Sequence, residues 1–189
     1  MSMSSTRPST AIPGFRSPGV GFEAPFDMLE ACHERVERTL NLLLRLQQHV
    51  LTHGCDTQAV QAAQDILRYF DLAAPLHHQD EELHVFPPLI AGNNAVARDA
   101  VHRLMAQHRQ MEGAWGAMRR VLLDMAAPAE DTPPRSLSDA EVRAFVDLYR
   151  DHMRLEEEVA YPAARTVMGA ELLQSAGAEM QSRRRVAGS

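Results

Sequence analysis

The chain has 189 residues, 45% hydrophobic and 23% charged, with a formal charge of −6. That is enough apolar material for the core of one domain and too little net charge for a disordered chain. A pI near 5.8 argues against a dedicated nucleic-acid binder, and no run of about 18 uncharged apolar residues is available to span a bilayer. Nine histidines beside two cysteines point to metal or proton chemistry without sulfur ligands.

Residues 1–25 are rich in Ser, Pro and Gly and lack the apolar run of a secretory signal, which predicts a disordered N-terminal tail and a cytoplasmic protein. From Phe26 onward the apolar residues recur at helical spacing without a hairpin signal, so the expected fold class is all-α. A first helix is expected over Phe26 to His53, with Leu29, His33, Val36 and Leu40 near one stripe and Gly54 as its stop. A second starts at Asp56 as N-cap and runs toward Phe86, where Pro87, Pro88 and Gly92 loosen or end it; Pro75 should kink it. The third extends from Asn94 to Ala126, followed by a Pro- and Asp-rich loop from Ala127 to Leu137. Ser138 with Glu141 forms a capping-box signature that opens the fourth helix, ending near Val167. Together these helices make a domain over 26–168, and residues 169–189 hold a short helix, Leu172 to Met180, and a basic tail, Arg183 to Arg185. If one helix joins Cys32 to Cys55 they lie about 35 Å apart, which argues against a disulfide between them.

An internal repeat supplies the functional signal. The segments from His77 to Pro87 and from His152 to Pro162 both read His-x-x-x-Glu-Glu-x-x-x-aromatic-Pro, at an offset of 75 residues. The same offset carries His33 onto His108 and Glu37 onto Glu112. Four helices are therefore two copies of a helix pair, each offering one His from its first helix and a His-x-x-x-Glu from its second.

Residues four apart on an α-helix share a face, so His77 with Glu81, and His152 with Glu156, each present an imidazole and a carboxylate to a common point. In an antiparallel bundle these pairs converge with His33 and His108. The six donors suffice for two metal ions bridged by carboxylates. Imidazole and carboxylate suit iron, manganese or zinc rather than copper(I). The competing reading, six buried polar residues pairing with one another, is costly in a Leu-rich interior.

The doubled motif resembles the hemerythrin-like, HHE cation-binding family over about Phe26 to Val167, and the segment Glu179 to Arg184 is similar to the tail of bacterial members. The resemblance implies an up-down antiparallel four-helix bundle. It also implies a carboxylate-bridged di-iron centre with an oxo or hydroxo bridge, held by His33, His77, Glu81, His108, His152 and Glu156. The family's oxygen carriers place a further histidine one turn before the third-helix His, where this chain has Leu104, and their fourth-helix acid lies five residues after the His rather than four. Those departures resemble the branch linked to nitric oxide or peroxide handling and to iron-sulfur repair, although the first 25 residues here contain no Cys.

The resulting expectation is a non-haem di-iron protein that binds, senses or reduces O2, NO or peroxide, as a monomer or homodimer. The alternatives are an iron or oxygen storage or sensing module without turnover, and a structural metal bundle, for instance with zinc. Two ferrous ions outweigh two glutamates in charge, which favours small anionic or diatomic ligands. Leu29, Leu104, Met105, Met111 and Trp115 should make the surroundings apolar. Glu37 and Glu112 are candidates for extra ligands or for partners that orient an imidazole; Glu82 and Glu157, about 140° from the ligand face, are expected to be solvated or to pair between helices. His84 is expected to line a pocket or the surface. His78, Tyr161 and Phe86 are expected to pack, His49, His53 and His102 to carry no metal, and Cys32 is a candidate for redox sensing.

Overall fold

Capped helices account for nearly all of what the computed structural model describes, residues 21–127 and 136–187, and those residues contain no strand. Helix α1, Pro25–His53, opens with a proline, whose missing N–H is no loss in a first turn. It closes on Gly54, whose φ of 76° is disfavoured for any side chain and lets its N–H reach the Val50 carbonyl at 3.0 Å. Helix α2 covers 57–91, and the Asp56 side chain accepts from the Ala59 N–H at 2.9 Å. Helix α3 is Ala95–Ala126, capped by Asn94. Helix α4 covers 139–167, and Ser138 Oγ accepts from the Glu141 N–H at 3.4 Å, the serine half of the expected box. Helix α5 is Ala170–Ala187. The expectation of a disordered tail falls mostly on residues 1–20, and that of the Pro-rich loop mostly on 128–135, both outside the described residues.

Helix α1 packs on α2, α2 on α3, α3 on α4 and α4 back on α1, while α5 contacts α1. The apolar residues form two clusters. One holds Val36, Leu40, Phe70, Met111, Leu122 and Phe145; the other holds Leu29, Val85, Phe86, Val101, Leu104 and Tyr161. On α1, α2 and α3 the expected site residues fall between the two clusters, and on α4 His152 and Glu156 lie where the first cluster ends at Met153 and before the second begins at Ala160, so the polar belt lies inside the core with hydrophobic packing at both ends.

Pro87, Pro88 and Gly92 were expected to loosen or end α2: the prolines loosen it, and it continues through them to Ala91 and stops at Gly92. Five-residue turns of π geometry at Tyr69–Ala73, Glu81–Val85 and Glu156–Ala160 each precede a proline by two residues, at Pro75, Pro87 and Pro162. The N–H groups of Ala74, Phe86 and Tyr161 reach back five residues to close these turns, which widens the helix where the proline ring must fit. The expected kink at Pro75 is thus one of these turns.

One expectation, at the C-terminus, is corrected. Arg183 and Arg184 do not lie in a tail but in α5, where they bind the fully buried Asp80. An interior carboxylate needs charged partners, and α5 supplies them. The chain before α1 crosses α5 at Gly177, where any Cβ would collide with the Phe22 carbonyl.

Candidate metal centre

The six residues singled out by the repeat come together. His33 on α1, His77 and Glu81 on α2, His108 on α3, and His152 and Glu156 on α4 are each at most 5% exposed. Ligand-capable atoms of His33, His77, Glu81 and Glu156 lie within 4.8 Å of one another, and so do those of Glu81, His108, His152 and Glu156. The two groups share both glutamates, and each glutamate divides its oxygens between them. Glu156 places Oε2 3.2 Å from His33 Nε2 and Oε1 2.9 Å from His152 Nε2. Glu81 places Oε1 3.4 Å from His77 Nε2 and Oε2 3.4 Å from His108 Nε2. Each glutamate is also the first residue of a π turn. The wider turn thus begins in both halves at the residue common to the two groups, a placement frequent at functional sites.

A second ring of contacts orients the imidazoles. His33 Nδ1 donates to Glu157 Oε1 at 2.7 Å, and His108 Nδ1 donates to Glu82 Oε1 at 2.8 Å. His152 Nδ1 donates to Gln107 Oε1 at 3.2 Å. A proton held on Nδ1 leaves the Nε2 lone pair facing the glutamates, the tautomer a metal needs. Glu82 and Glu157 therefore make the interhelical pairing expected of them. It crosses between the halves, each glutamate serving the lone histidine of the other copy, so the 75-residue offset relates the two contacts.

Tyr161 was expected only to pack. Its ring does stack on His33 at 5.6 Å, as Phe86 stacks on His108 at 5.7 Å. Its hydroxyl, however, donates to Glu81 Oε1 and lies 3.3 Å from His33 Nε2. The sequence signal was the difference at the aromatic position of the two motif copies, Tyr where the other has Phe. His78, also expected to pack, brings a nitrogen within 4.8 Å of those of His108 and His152.

Other candidates fall away. Glu37 is held by Arg150 at 2.6 Å and by Asn41, and Glu112 is exposed. His84 pairs with Glu179 at 2.7 Å, His49 pairs with Asp56 and stacks on His53, and His102 is exposed. Cys32 is buried against Met28, and both cysteines are free thiols.

Burial and charge act against each other here. Burial opposes protonation of His33, but Glu156 and Glu157 outweigh it and raise the imidazole to about 9. Burial likewise opposes protonation of His108, and Glu81 and Glu82 overcome it. At His77 burial wins and holds the ring well below its ordinary value. Burial would raise Glu156, yet His152 and His33 keep it below the usual carboxylate range. Burial pushes the Tyr161 phenol well up, so it keeps its proton.

The donor set fits a metal. Glu81 Oε2, both oxygens of Glu156 and His77 Nδ1 are buried without a hydrogen bond, although ring nitrogens lie close to the oxygens. His108 Nε2 and His152 Nε2 are in hydrogen-bond contact at 3.1 Å, but no ring nitrogen is aligned to donate to these three oxygens. Interiors seldom leave carboxylate oxygens unpaired. Cations between the two carboxylates and four imidazoles would satisfy the three oxygens, and this nitrogen and oxygen chemistry suits iron, manganese or zinc.

Two grooves reach the belt from outside. One, about 620 Å³, exposes the edge of His33 among Glu30, Glu34, Glu37 and Glu157. The other, about 590 Å³, borders His78 and His108 among Phe70, Met105, Trp115 and Tyr149. Leu29 and Leu104 are fully buried, in keeping with the expected apolar surroundings. Among the described residues no helix is long and apolar enough to cross a membrane.

The sequence profile of the hemerythrin HHE cation-binding domain matches residues 24–164. An uncharacterized protein of Haemophilus influenzae is 31% identical over 162 residues, spanning 86% of this chain and 91% of the relative.

Proposed function

The chain belongs to the hemerythrin HHE cation-binding family, and on that premise we propose that it holds two iron ions at the centre of an up-down antiparallel four-helix bundle and there binds or reduces a small molecule such as O2, NO or peroxide. The observation that supports this most directly is the pair of four-residue groups sharing Glu81 and Glu156. A single metal site would not need two symmetric sets of donors, and a purely structural ion pair would not leave three carboxylate oxygens without hydrogen bonds.

Two ferrous ions supply electrons and open positions to a small ligand. The residues that would hold the ions are Glu81 and Glu156, common to both groups, with His33 and His77 in one group and His108 and His152 in the other. Glu157, Glu82 and Gln107 hold protons on the outer nitrogens of His33, His108 and His152, keeping the inner lone pairs available. Leu29 and Leu104 exclude water, and Leu104 supplies no nitrogen where the resemblance to oxygen carriers would call for a histidine. Tyr161 holds a proton at Glu81 and within reach of His33 Nε2, on one side of the site only. The free thiols of Cys32 and Cys55 support a reducing, cytoplasmic compartment.

The test is metal analysis of the purified protein together with optical spectra of the anaerobically reduced form before and after exposure to air, NO or peroxide. Two irons per chain and a spectrum that responds to at least one of these ligands are expected. Protein that binds no redox metal when supplied with it, or whose di-iron spectrum ignores all three ligands, would overturn the proposal.

A further inference from the structure

We propose that the groove beside His108 binds an uncharged aromatic molecule carrying hydroxyl groups, of the hydroquinone class, and that this molecule is the reductant of the site. The proposal rests on the di-iron reading and names the source of its electrons.

Every residue that lines the groove beside His33 lands, at the 75-residue offset, on a residue that lines the groove beside His108. The two grooves are therefore the same opening in the two halves of the repeat, and their differences show what each admits. Where the first has Glu30, Arg150 and Arg154, the second has Met105, Pro75 and Gln79, so three charges give way to neutral groups. In the first groove Arg150 holds Glu37 at 2.6 Å. With proline in its place, Glu112, the counterpart of Glu37, has no ion pair among the described residues. Pro75 also brings the π turn Tyr69–Ala73, whereas the corresponding residues 144–148 lie within regular helix. The π turns at Glu81 and Glu156 are related by the repeat; this third one is not, and such turns are frequent at functional sites. Its effect shows at Phe70, which lies in the turn and lines the second groove, while its counterpart Phe145 does not line the first.

The walls and the polar groups of the second groove select the ligand. Phe70, Trp115 and Tyr149 offer rings to a planar molecule, with the Met105 thioether beside them. At about 590 Å³ the groove has the size and the mixture of aromatic wall and few polar groups of a small-molecule site. Those polar groups mostly accept. The His78 ring makes no hydrogen bond among the described residues, and neither of its nitrogens is sealed from accessible space. Glu82, one turn further along the same face, spends Oε1 on His108 and keeps Oε2. Two acceptors one turn apart suit a ring with two hydroxyl groups. Glu82 and Glu112 outnumber Arg109 in charge, which disfavours aromatic acids. A hydroquinone in this groove gives up two electrons and its two hydroxyl protons and becomes the quinone. Hydrogen peroxide takes up both electrons and both protons, its O–O bond breaks, and two waters form.

Trp115 is the only tryptophan of the chain, so its indole N–H gives a single signal in a ¹H–¹⁵N spectrum and reports on the groove without any metal. The experiment titrates the metal-free full chain, kept anaerobic, with 1,4-dihydroxynaphthalene and with its dimethyl ether. The diol should shift the indole signal saturably, and the ether, which has no hydroxyl to donate, should bind about tenfold more weakly or worse. His78→Phe keeps a ring on His108 and removes the nitrogens, and should weaken the diol about 3- to 10-fold. Met105→Glu gives this groove the residue of its counterpart and should weaken the diol about tenfold or more. Far-UV circular dichroism checks folding; where one variant does not fold, the other and the two probes on wild type decide. With iron-loaded protein, one quinone should form per peroxide consumed. An indole signal that ignores the diol, or an ether that binds as tightly, would overturn the ligand site while leaving the di-iron centre standing. Binding of the diol without quinone formation by iron-loaded protein would overturn the reductant role. A wild type that takes up no iron would overturn the di-iron reading and the reductant role with it, and the titration of metal-free protein would still decide the groove.

Discussion

Replacing Arg184 by methionine strands the Asp80 carboxylate one residue before Glu81. Asp80 is fully buried and accepts three charged hydrogen bonds: from Arg183 Nη2 to Oδ1 at 2.6 Å, and from Arg184 Nη1 to Oδ1 at 3.1 Å and Nη2 to Oδ2 at 2.5 Å. Arg184 alone serves Oδ2. Breaking a buried pair from one side costs about 3–5 kcal/mol. Here Arg183 remains on Oδ1 and Arg184 is itself 21% exposed, so the loss should be about 2–3 kcal/mol. For a chain of this size that lowers the melting temperature by about 4–10 °C. The pair as a whole is worth much less than its removal costs, because burial raises the Asp80 carboxyl above its ordinary value despite both guanidiniums. Its counterpart in the other half is Leu155. Adding Asp80→Leu to Arg184→Met should therefore recover at least half of the lost stability. Thermal and urea unfolding of metal-free protein, followed by far-UV circular dichroism, reads both steps. A single variant within about 0.5 kcal/mol of wild type, or a double variant no more stable than the single, would refute the reasoning.

Glu82→Gln and Glu157→Gln each weaken the acceptor for an Nδ1 proton, and iron affinity should fall about 10- to 100-fold in either variant, read by chelator competition. An unchanged affinity would mean that these contacts do not orient the imidazoles. The metal-free protein should also respond to pH through His33. Its folded value of about 9 lies above the ordinary 6.5. The sign is therefore that the added stability is fully present below pH 6.5 and is lost as pH rises through about 9. Metal binding displaces that proton, so iron affinity should rise over the same interval, and a flat affinity profile from pH 6.5 to 9 would contradict it.

The six residues of the belt were legible in the sequence because helical periodicity and a repeat act on the same positions. A motif that fixes His and Glu four apart fixes their common face, and an offset shared by His33 and His108 fixes which helices must face one another. The helix starts at Asp56, Asn94 and Ser138 were legible for a local reason, since a side chain that accepts from an N–H three residues on needs no distant partner. Pro87 and Pro88 left two outcomes open, loosening or ending the helix, for the same local reason. Proline propensity counts the lost hydrogen bond and the ring clash but not a preceding π turn that absorbs both.

What the sequence concealed are contacts whose meaning depends on a partner far along the chain. Asp80 reads as one acid among several until α5 brings Arg183 and Arg184 onto it, and those arginines read as a tail until a buried carboxylate explains why the helix continues. His78 and Tyr161 show the limit of symmetry as evidence. The repeat located the belt by what its two halves share. What makes the two ends different lies in positions where the halves disagree, among them His78 against Met153 and Tyr161 against Phe86, and a reading that seeks matches discounts them. Of these, Tyr161 sets its hydroxyl beside His33 and Glu81, where the other half has only the Phe86 ring beside His108. A doubled helix pair alone gives two equivalent ends, and with that substitution one end gains a proton held at a glutamate that both groups share.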